Sequence, residues 1–328
     1  MTTPVVSPGG RVDWQEIAVP EPAPGEVLVR MEAAAVCGSD LHSIFAGGRT
    51  EPFWPGGPGH EGVGRVAVSR SARFTEGERV LTAPDAARGH CFAAYQVVPE
   101  AFLARVPDDL PPHTAVLAQQ LGTVIFALKK FWRGPGGRTA AVIGAGPAGL
   151  AFVGAIKRLG FEWVGSLEPR PYRRDAARRM GAALSFAPDP ELAVDQFLDA
   201  TDGRGADLVV EASGQDDGRI LTAALLARDG HIGFFGLPAG SHPVPLPFSV
   251  LFSKRAELAS SVGAQFEPDL ASFQQALAWI AEEPAYWGQL VTHRLPLSAL
   301  AEALSLAEHP DGPILKVVLE MSMAGTTA

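Results

Sequence analysis

The chain has 328 residues, long enough for two domains of ordinary size, and an apolar content of 47% that suits a globular protein. Its net charge of −9 leaves no basic stripe for a phosphate backbone, which sets nucleic acid aside and points to a small molecule as partner. Two cysteines, Cys37 and Cys91, exclude a disulfide framework and fit a reducing, cytoplasmic interior; neither a signal peptide at residues 1–10 nor a membrane span is expected, the longest apolar run, 140–156, being too short and too rich in glycine.

The first region reads as short strands broken by turns: residues 12–14, a Pro-rich breaker at 20–25, then 26–35, whose alternation suits a half-buried strand. That strand delivers the chain to Cys37-Gly38-Ser39-Asp40-Leu41-His42. If Ser39 opens a helical turn, Ser39 and His42 share a face, and Cys37 lies just before a helix N-terminus, where backbone dipoles favour a thiolate. The stretch reads either as a soft metal ligand beside a proton relay or as a buried cysteine before a helix capped by Ser39 or Asp40. A loop dense in Gly and Pro follows at 46–59, with Phe53 and Trp54 as a pocket wall or plain connection. His60 and Glu61 stand at the mouth of a strand over 61–68, and further strands are expected at 79–82 and 92–98. His90 and Cys91 are pocket residues or a spare metal ligand on one reading, an ordinary loop histidine and buried thiol on the other.

The texture changes near Thr114. A helix is expected over 115–132, glycines at 134–137 punctuate it, and strands then alternate with helices. The first strand, 139–143, runs straight into Gly144-Ala145-Gly146-Pro147-Ala148-Gly149 and a helix over 150–159; the second, 163–167, ends in Glu168. Further strands at 183–186, 206–210, 231–235 and 257–262 make six, the number for a doubly wound α/β sheet. In the fingerprint, Gly144 makes the tight turn, Gly146 lets the backbone approach a pyrophosphate, and Gly149 lets the helix pack on the sheet. Pro147 and Ala148 open the helix whose N-terminus carries the phosphates. Glu168 suits the ribose diol of NAD and repels a 2′-phosphate; Arg170, Arg173 and Arg174 could offset such a phosphate or form a solvated face, and NAD is preferred to NADP. Beyond Ala271 a helix, a strand over 290–295, a second helix and a strand over 314–320 complete the chain.

With both histidine-bearing segments ahead of a dinucleotide fingerprint, the chain resembles the zinc-dependent alcohol and polyol dehydrogenases of the medium-chain dehydrogenase/reductase family. The likeness runs over nearly the whole chain and includes Glu211-Ala212-Ser213-Gly214, Gly236-Leu237-Pro238 and Ile314-Leu315-Lys316-Val317-Val318. It implies a Rossmann domain over 124–265 and a β-rich GroES-like catalytic domain from 1–123 and 266–328. By the resemblance, Cys37 and His60 are ligands of a catalytic zinc, Glu61 is a ligand or alternate ligand, and Asp40 orients His60. Ser39 and His42 pass the alcohol proton outward, Thr123 touches the nicotinamide, and Ala212, Leu237 and Arg173 border the cofactor. Zinc in such a set makes a bound hydroxyl more acidic, and NAD takes the hydride.

Two departures bear on the metal. The family's lobe of four cysteines is absent, only Cys91 lying between Gly77 and Tyr95, so one catalytic zinc per subunit and no structural zinc is expected. At the start of the helix entering the cofactor domain, where the family places Cys or Glu, stands Gln119, a neutral and weak ligand; it is a doubtful third ligand, a substrate contact or simply a polar helix start. The expected activity is NAD-dependent interconversion of a secondary alcohol (a polyol, cyclitol or sugar derivative) and its ketone. The alternatives are a zinc-free reductase and a redox-neutral enzyme holding NAD tightly. The edge strand at 257–262 suggests, by resemblance, a homo-oligomer, dimer or tetramer.

Overall fold

A computed structural model describes residues 1–46, 48–84, 89–187, 189–238, 240 and 242–321. The chain divides into two compact units, Met1–Gly122 together with the segment from Gln265 onward, and Thr123–Ala264.

The first unit opens on an antiparallel ribbon of β1 (Thr2–Val6) and β2 (Val12–Glu16), of which sequence reading anticipates only the second strand. β3 (Glu26–Ala35), β4 (Glu61–Ser69), β5 (Arg79–Thr82), β6 (Tyr95–Pro99) and the short β7 (Leu103–Arg105) follow. β3 is flanked by β4, β6 and the chain's last strand, so its residues from Val27 to Val29 and Ala33 to Ala35 are buried on both faces rather than alternating. Residues 92–94, expected as strand, form a turn instead: the N–H groups of Cys91 and Phe92 bond to the carbonyls of Gly59 and Gly56, which pulls this stretch off the sheet.

The second unit contributes β8 (Thr139–Ile143), β9 (Trp163–Leu167), β10 (Leu184–Phe186), β11 (Ala206–Glu211), β12 (Leu226–Phe234) and β13 (Glu257–Ser260). These pair in the order β10-β9-β8-β11-β12-β13, all parallel. That is the doubly wound order, with its reversal between β8 and β11. Helices at Pro147–Arg158, Pro171–Arg179, Pro190–Ala200, Asp216–Leu225 and Phe248–Lys254 make the crossovers, and Ala141, Ile143, Phe197, Val209 and Ile232 lie in the core between the layers. The helix expected over 115–132 is two helices, Pro112–Ala115 and Leu117–Phe131.

The chain returns to the first unit with β14 (Val291–Pro296) and β15 (Lys316–Glu320), completing a sheet ordered β14-β15-β3-β4-β5-β7. Its core gathers Val27, Val29, Met31, Val66, Phe92 and Leu319. The register sets Ala35 opposite both Glu61 and Val318, so the end of β3, the start of β4 and the start of β15 converge.

Candidate active site

Two separate arrangements carry chemistry, one in each unit. In the first, β3 ends two residues before Cys37, which caps the short helix Gly38–Leu41 in an extended conformation. Asp40, 1% exposed, organises this turn: one carboxylate oxygen accepts the Cys37 N–H at 3.0 Å, and the other faces His60 Nδ1 at 2.8 Å. A carboxylate only accepts, so Nδ1 carries a proton, and in the neutral imidazole a metal would require, Nε2 keeps its lone pair. Burial alone would push the His60 imidazole down; the charge and hydrogen bond of Asp40, with the Cys37 sulfur, outweigh it and hold the pKa well above the usual histidine value.

The Cys37 sulfur, a His60 ring nitrogen and a Glu61 carboxylate oxygen all lie within 4.8 Å of one another. Glu61 is fully buried and pairs with Lys316, itself 1% exposed, whose Nζ lies 2.9 Å from Oε1 and 2.7 Å from Oε2 and also donates to the Val36 carbonyl at 3.3 Å. Only the Oε1 contact has hydrogen-bond geometry; among the described residues Glu61 Oε2 has no hydrogen-bond partner despite the short ionic contact. Desolvation works against the Lys316 charge, and Glu61, Cys37 and Asp40 reverse it and raise the ammonium pKa. Thiolate, imidazole and carboxylate converging with one buried lone pair to spare are a donor set that suits zinc with three protein ligands and an open position.

The remaining predicted residues of this unit divide. Ser39 Oγ lies 3.3 Å from His60 Nε2, beside the ligand group. His42 begins the π-type turn His42–Ala46; its backbone N–H donates to the carbonyls of Gly38 and Ser39, and among the described residues no side-chain hydrogen bond joins it to the Ser39 hydroxyl. Gln119 is buried near the start of the helix Leu117–Phe131. Trp54 Nε1 donates to the Gly89 carbonyl at 2.6 Å and His90 Nδ1 to the Pro55 carbonyl at 2.8 Å, with the two rings 5.9 Å apart, so these side chains tie the 46–59 loop to the segment after it. Cys91 stands outside the ligand group, fully buried beside Thr82 and Gln96, and burial pushes its thiol up to about 11.

In the second unit the fingerprint turn has φ +90° at Gly144, where a Cβ would come within 2.9 Å of the Ser213 backbone nitrogen. A Cβ at Gly149 would stand 1.9 Å from the Gly144 carbonyl oxygen, whereas at Gly146 the nearest atom is Arg173 Nη1 at 3.8 Å. Gly146 is the N-cap and Pro147 the first residue of the helix Pro147–Arg158, with Ala148 next, leaving open room at a helix N-terminus. Glu168, 4% exposed, accepts the Ala145 N–H at 2.8 Å and the Arg170 N–H at 2.9 Å, bracing the turn it was expected to serve as a ribose acceptor. Arg174 is committed to the carbonyls of Glu168 and Pro169, while Arg173 Nε is buried without a hydrogen-bond partner among the described residues. The Ala212 N–H bonds to the Ile143 carbonyl, and Leu237 borders a cavity of about 370 Å³ also lined by Arg219, Phe234, Gly236 and Val262. Thr123 is half-buried at the first position of this unit.

Two residues stand in segments that carry the resemblance, yet the sequence assigns neither a role of its own. Lys316 is a lone cation in the apolar run Ile314-Leu315-Lys316-Val317-Val318, and a buried lysine must be paired. Glu211 ends the apolar strand β11 in the same manner.

Residues 23–108 match the alcohol dehydrogenase GroES-like domain family, and residues 147–282 the zinc-binding dehydrogenase family. An L-threonine 3-dehydrogenase of Pyrococcus abyssi is 30% identical over 268 residues, covering 72% of this chain and 76% of that protein. A sorbitol dehydrogenase of Bacillus subtilis is 28% identical over 265 residues, 71% of this chain and 74% of its own. The solved structure of an alcohol dehydrogenase from Thermus sp. ATN1 superposes with a TM-score of 0.85 at 25% identity, over 98% of this chain and 100% of the other.

Proposed function

The chain belongs to the zinc-dependent alcohol and polyol dehydrogenases of the medium-chain dehydrogenase/reductase family, and from that membership we propose that it interconverts a secondary alcohol and its ketone with NAD. The substrate class is a polyol, cyclitol or sugar derivative. What carries the reading is the convergence of Cys37, His60 and Glu61 within 4.8 Å, with the imidazole oriented by a buried carboxylate. Cys37, His60 and Glu61 would hold the metal, with solvent or substrate in the open position and Gln119 a doubtful ligand.

Zinc held there supplies Lewis acidity toward the substrate oxygen, and NAD supplies the hydride acceptor. The chain's own groups do the rest. Asp40 fixes the His60 tautomer so that Nε2 stays available, and it locks the Cys37 turn through the backbone N–H. Lys316 balances the buried charge of Glu61. The Ser39 hydroxyl, placed beside the ligand imidazole, would receive the proton that leaves the substrate hydroxyl, and a ribose hydroxyl of the cofactor would carry it on to His42 and solvent. Gly146 and the helix it opens receive the pyrophosphate, and Glu168 keeps acceptor capacity for the adenosine ribose, which favours NAD over NADP.

With two cysteines in all, the chain cannot build a four-cysteine lobe, so each subunit takes one catalytic zinc and no structural one. Both thiols are free, as in a cytoplasmic enzyme. Among the described residues no helix is long and apolar enough to cross a membrane. β13 is an edge strand with Leu258 45% exposed, and the helix Phe248–Lys254 that precedes it exposes Phe248 (74%) and Phe252 (75%); we assign these surfaces to a second copy in a dimer or tetramer.

Metal analysis followed by a screen of sorbitol, other polyols and L-threonine with NAD tests the reading. The expected result is about one zinc per chain and NADH formation lost on chelation. Turnover that persists without zinc, even after reconstitution has been attempted, favours the zinc-free reductase instead. Cofactor that survives gel filtration with no net NADH favours the redox-neutral alternative.

A further inference from the structure

Glu211 closes β11, one of the two central strands of the dinucleotide unit, and is fully buried. Neither the metal centre nor the proton relay uses it, and a buried carboxylate needs engaged acceptors to persist. Its Oε1 accepts three hydrogen bonds: from the Ser213 N–H at 2.7 Å, the Ser213 hydroxyl at 2.5 Å and the Gly214 N–H at 2.9 Å. Its main-chain carbonyl accepts two more, from the N–H groups of Phe235 at 2.9 Å and Gly236 at 3.0 Å. Oε2 has no hydrogen-bond partner among the described residues and lies against Gly236, where an added Cβ would approach it to 2.8 Å.

One residue thus ties the turn after β11 to the turn after β12. The first of these is pressed on the fingerprint, since a Cβ at Gly144 would meet Ser213 N, Cα and Cβ at 2.9 to 3.0 Å. All three turns leave the C-terminal ends of neighbouring parallel strands, and the order reverses between β8 and β11. That crevice is where doubly wound sheets bind their ligands.

We propose that Glu211 is a positioning residue for the dinucleotide. Its carboxylate sets the Ser213–Gly214 turn and, through that turn, the Gly144 loop that faces the pyrophosphate; its carbonyl sets Gly236 and Leu237 beside them. The proposal rests on the NAD reading above. Reach decides it. Glu211→Asp keeps the charge but draws the acceptor one methylene away from its three donors, while Glu211→Gln keeps an oxygen at Oε1 and replaces only Oε2, which has no hydrogen-bond partner among the described residues.

The zinc-loaded full chain is titrated with NADH by energy transfer from tryptophan, and KM for NAD, KM for the alcohol and kcat are measured in parallel. Glu211→Asp is expected to weaken NADH binding about tenfold or more and to raise KM for NAD by a like factor, with kcat and KM for the alcohol within about twofold. Glu211→Gln is expected to stay within about threefold of the wild type. An Asp variant that binds NADH as the wild type does, or a Gln variant as impaired as Asp, overturns the proposal. Should Glu211→Asp fail to fold, Ser213→Ala removes one of the three donors: NADH binding about threefold weaker supports the assignment, and unchanged binding overturns it. Wild-type protein that binds no dinucleotide overturns the NAD reading itself, before any variant is compared.

Discussion

Replacing Lys316 by methionine removes one charge from a fully desolvated pair while nearly conserving volume. Lys316 Nζ lies 2.9 and 2.7 Å from the two Glu61 oxygens, with the residues 1% and 0% exposed. At an effective dielectric of about 20 the attraction at this separation is roughly 4–6 kcal/mol, and breaking a buried pair by deleting one partner costs about 3–5 kcal/mol because the other charge is left stranded. For a unit of this size that is a fall in Tm of about 6–20 °C in metal-free protein. Zinc changes the arithmetic: Glu61 then has a second cation nearby, so zinc-loaded Lys316→Met loses less than metal-free Lys316→Met. The rise in Tm on adding zinc is therefore larger in the variant than in the wild type. A cycle with Glu61→Gln separates charge from packing, since the double variant buries no net charge and should recover most of the loss. Scanning calorimetry with and without EDTA reads all of these. Metal-free Lys316→Met within about 1 kcal/mol of the wild type, or single losses that simply add in the double variant, would refute the account.

Other consequences follow from the same geometry. Asp40→Asn leaves His60 Nδ1 facing a group that need not accept its proton, and zinc affinity measured against a chelating dye should fall about 10–100-fold; undiminished affinity removes Asp40 from the centre. Cys91 has its pKa raised from 9.0 to about 11 by burial, so the thiol contributes stability in full below pH 9.0 that is lost as pH climbs toward 11. Cys91→Ala should flatten that alkaline slope, and iodoacetamide at pH 8 should label Cys37 but not Cys91 in native metal-free chain; labelling of both contradicts the burial argument. Gly149→Ala, whose Cβ would stand 1.9 Å from a carbonyl oxygen, should lower Tm, whereas Gly146→Ala, with nothing nearer than 3.8 Å, should keep Tm and raise KM for NAD; equal NADH affinity in Gly146→Ala and the wild type would count against pyrophosphate at that turn.

Which parts of this were legible in the residues themselves follows from how far apart the interacting groups lie in the chain. The six parallel strands announced themselves through local alternation with helices, and the turn glycines through the steric demands of one loop. Cys37 and Asp40 lie within one helical turn, and His60 and Glu61 are adjacent, so spacing marks them as candidates, while their roles as ligands and orienting carboxylate rest on the family resemblance. Short β7 is not legible because three residues cannot display a period and, unlike the equally short β10, it has no strand–helix alternation around it to mark its place. The turn at 92–94 was mistaken for strand because its hydrogen bonds run to Gly56 and Gly59, which no window on that stretch contains.

The partners of Lys316 and Glu211 lie out of reach for the same reason in stronger form. Lys316 meets Glu61 across 255 positions, through the pairing of β15 on β3 and β3 on β4, and Glu211 owes its importance to three turns from three strands. Each still left a trace, a lone charge within or at the end of an apolar strand. Because the centre's countercharge comes from β15, the electrostatics of Cys37, His60 and Glu61 depend on a strand distant in sequence that joins them through its pairing with β3. Metal affinity is thereby coupled to completion of this sheet: a chain whose β15 is displaced keeps the three ligands on neighbouring segments but leaves Glu61 buried without its cation, a charge that zinc or a proton must then neutralise.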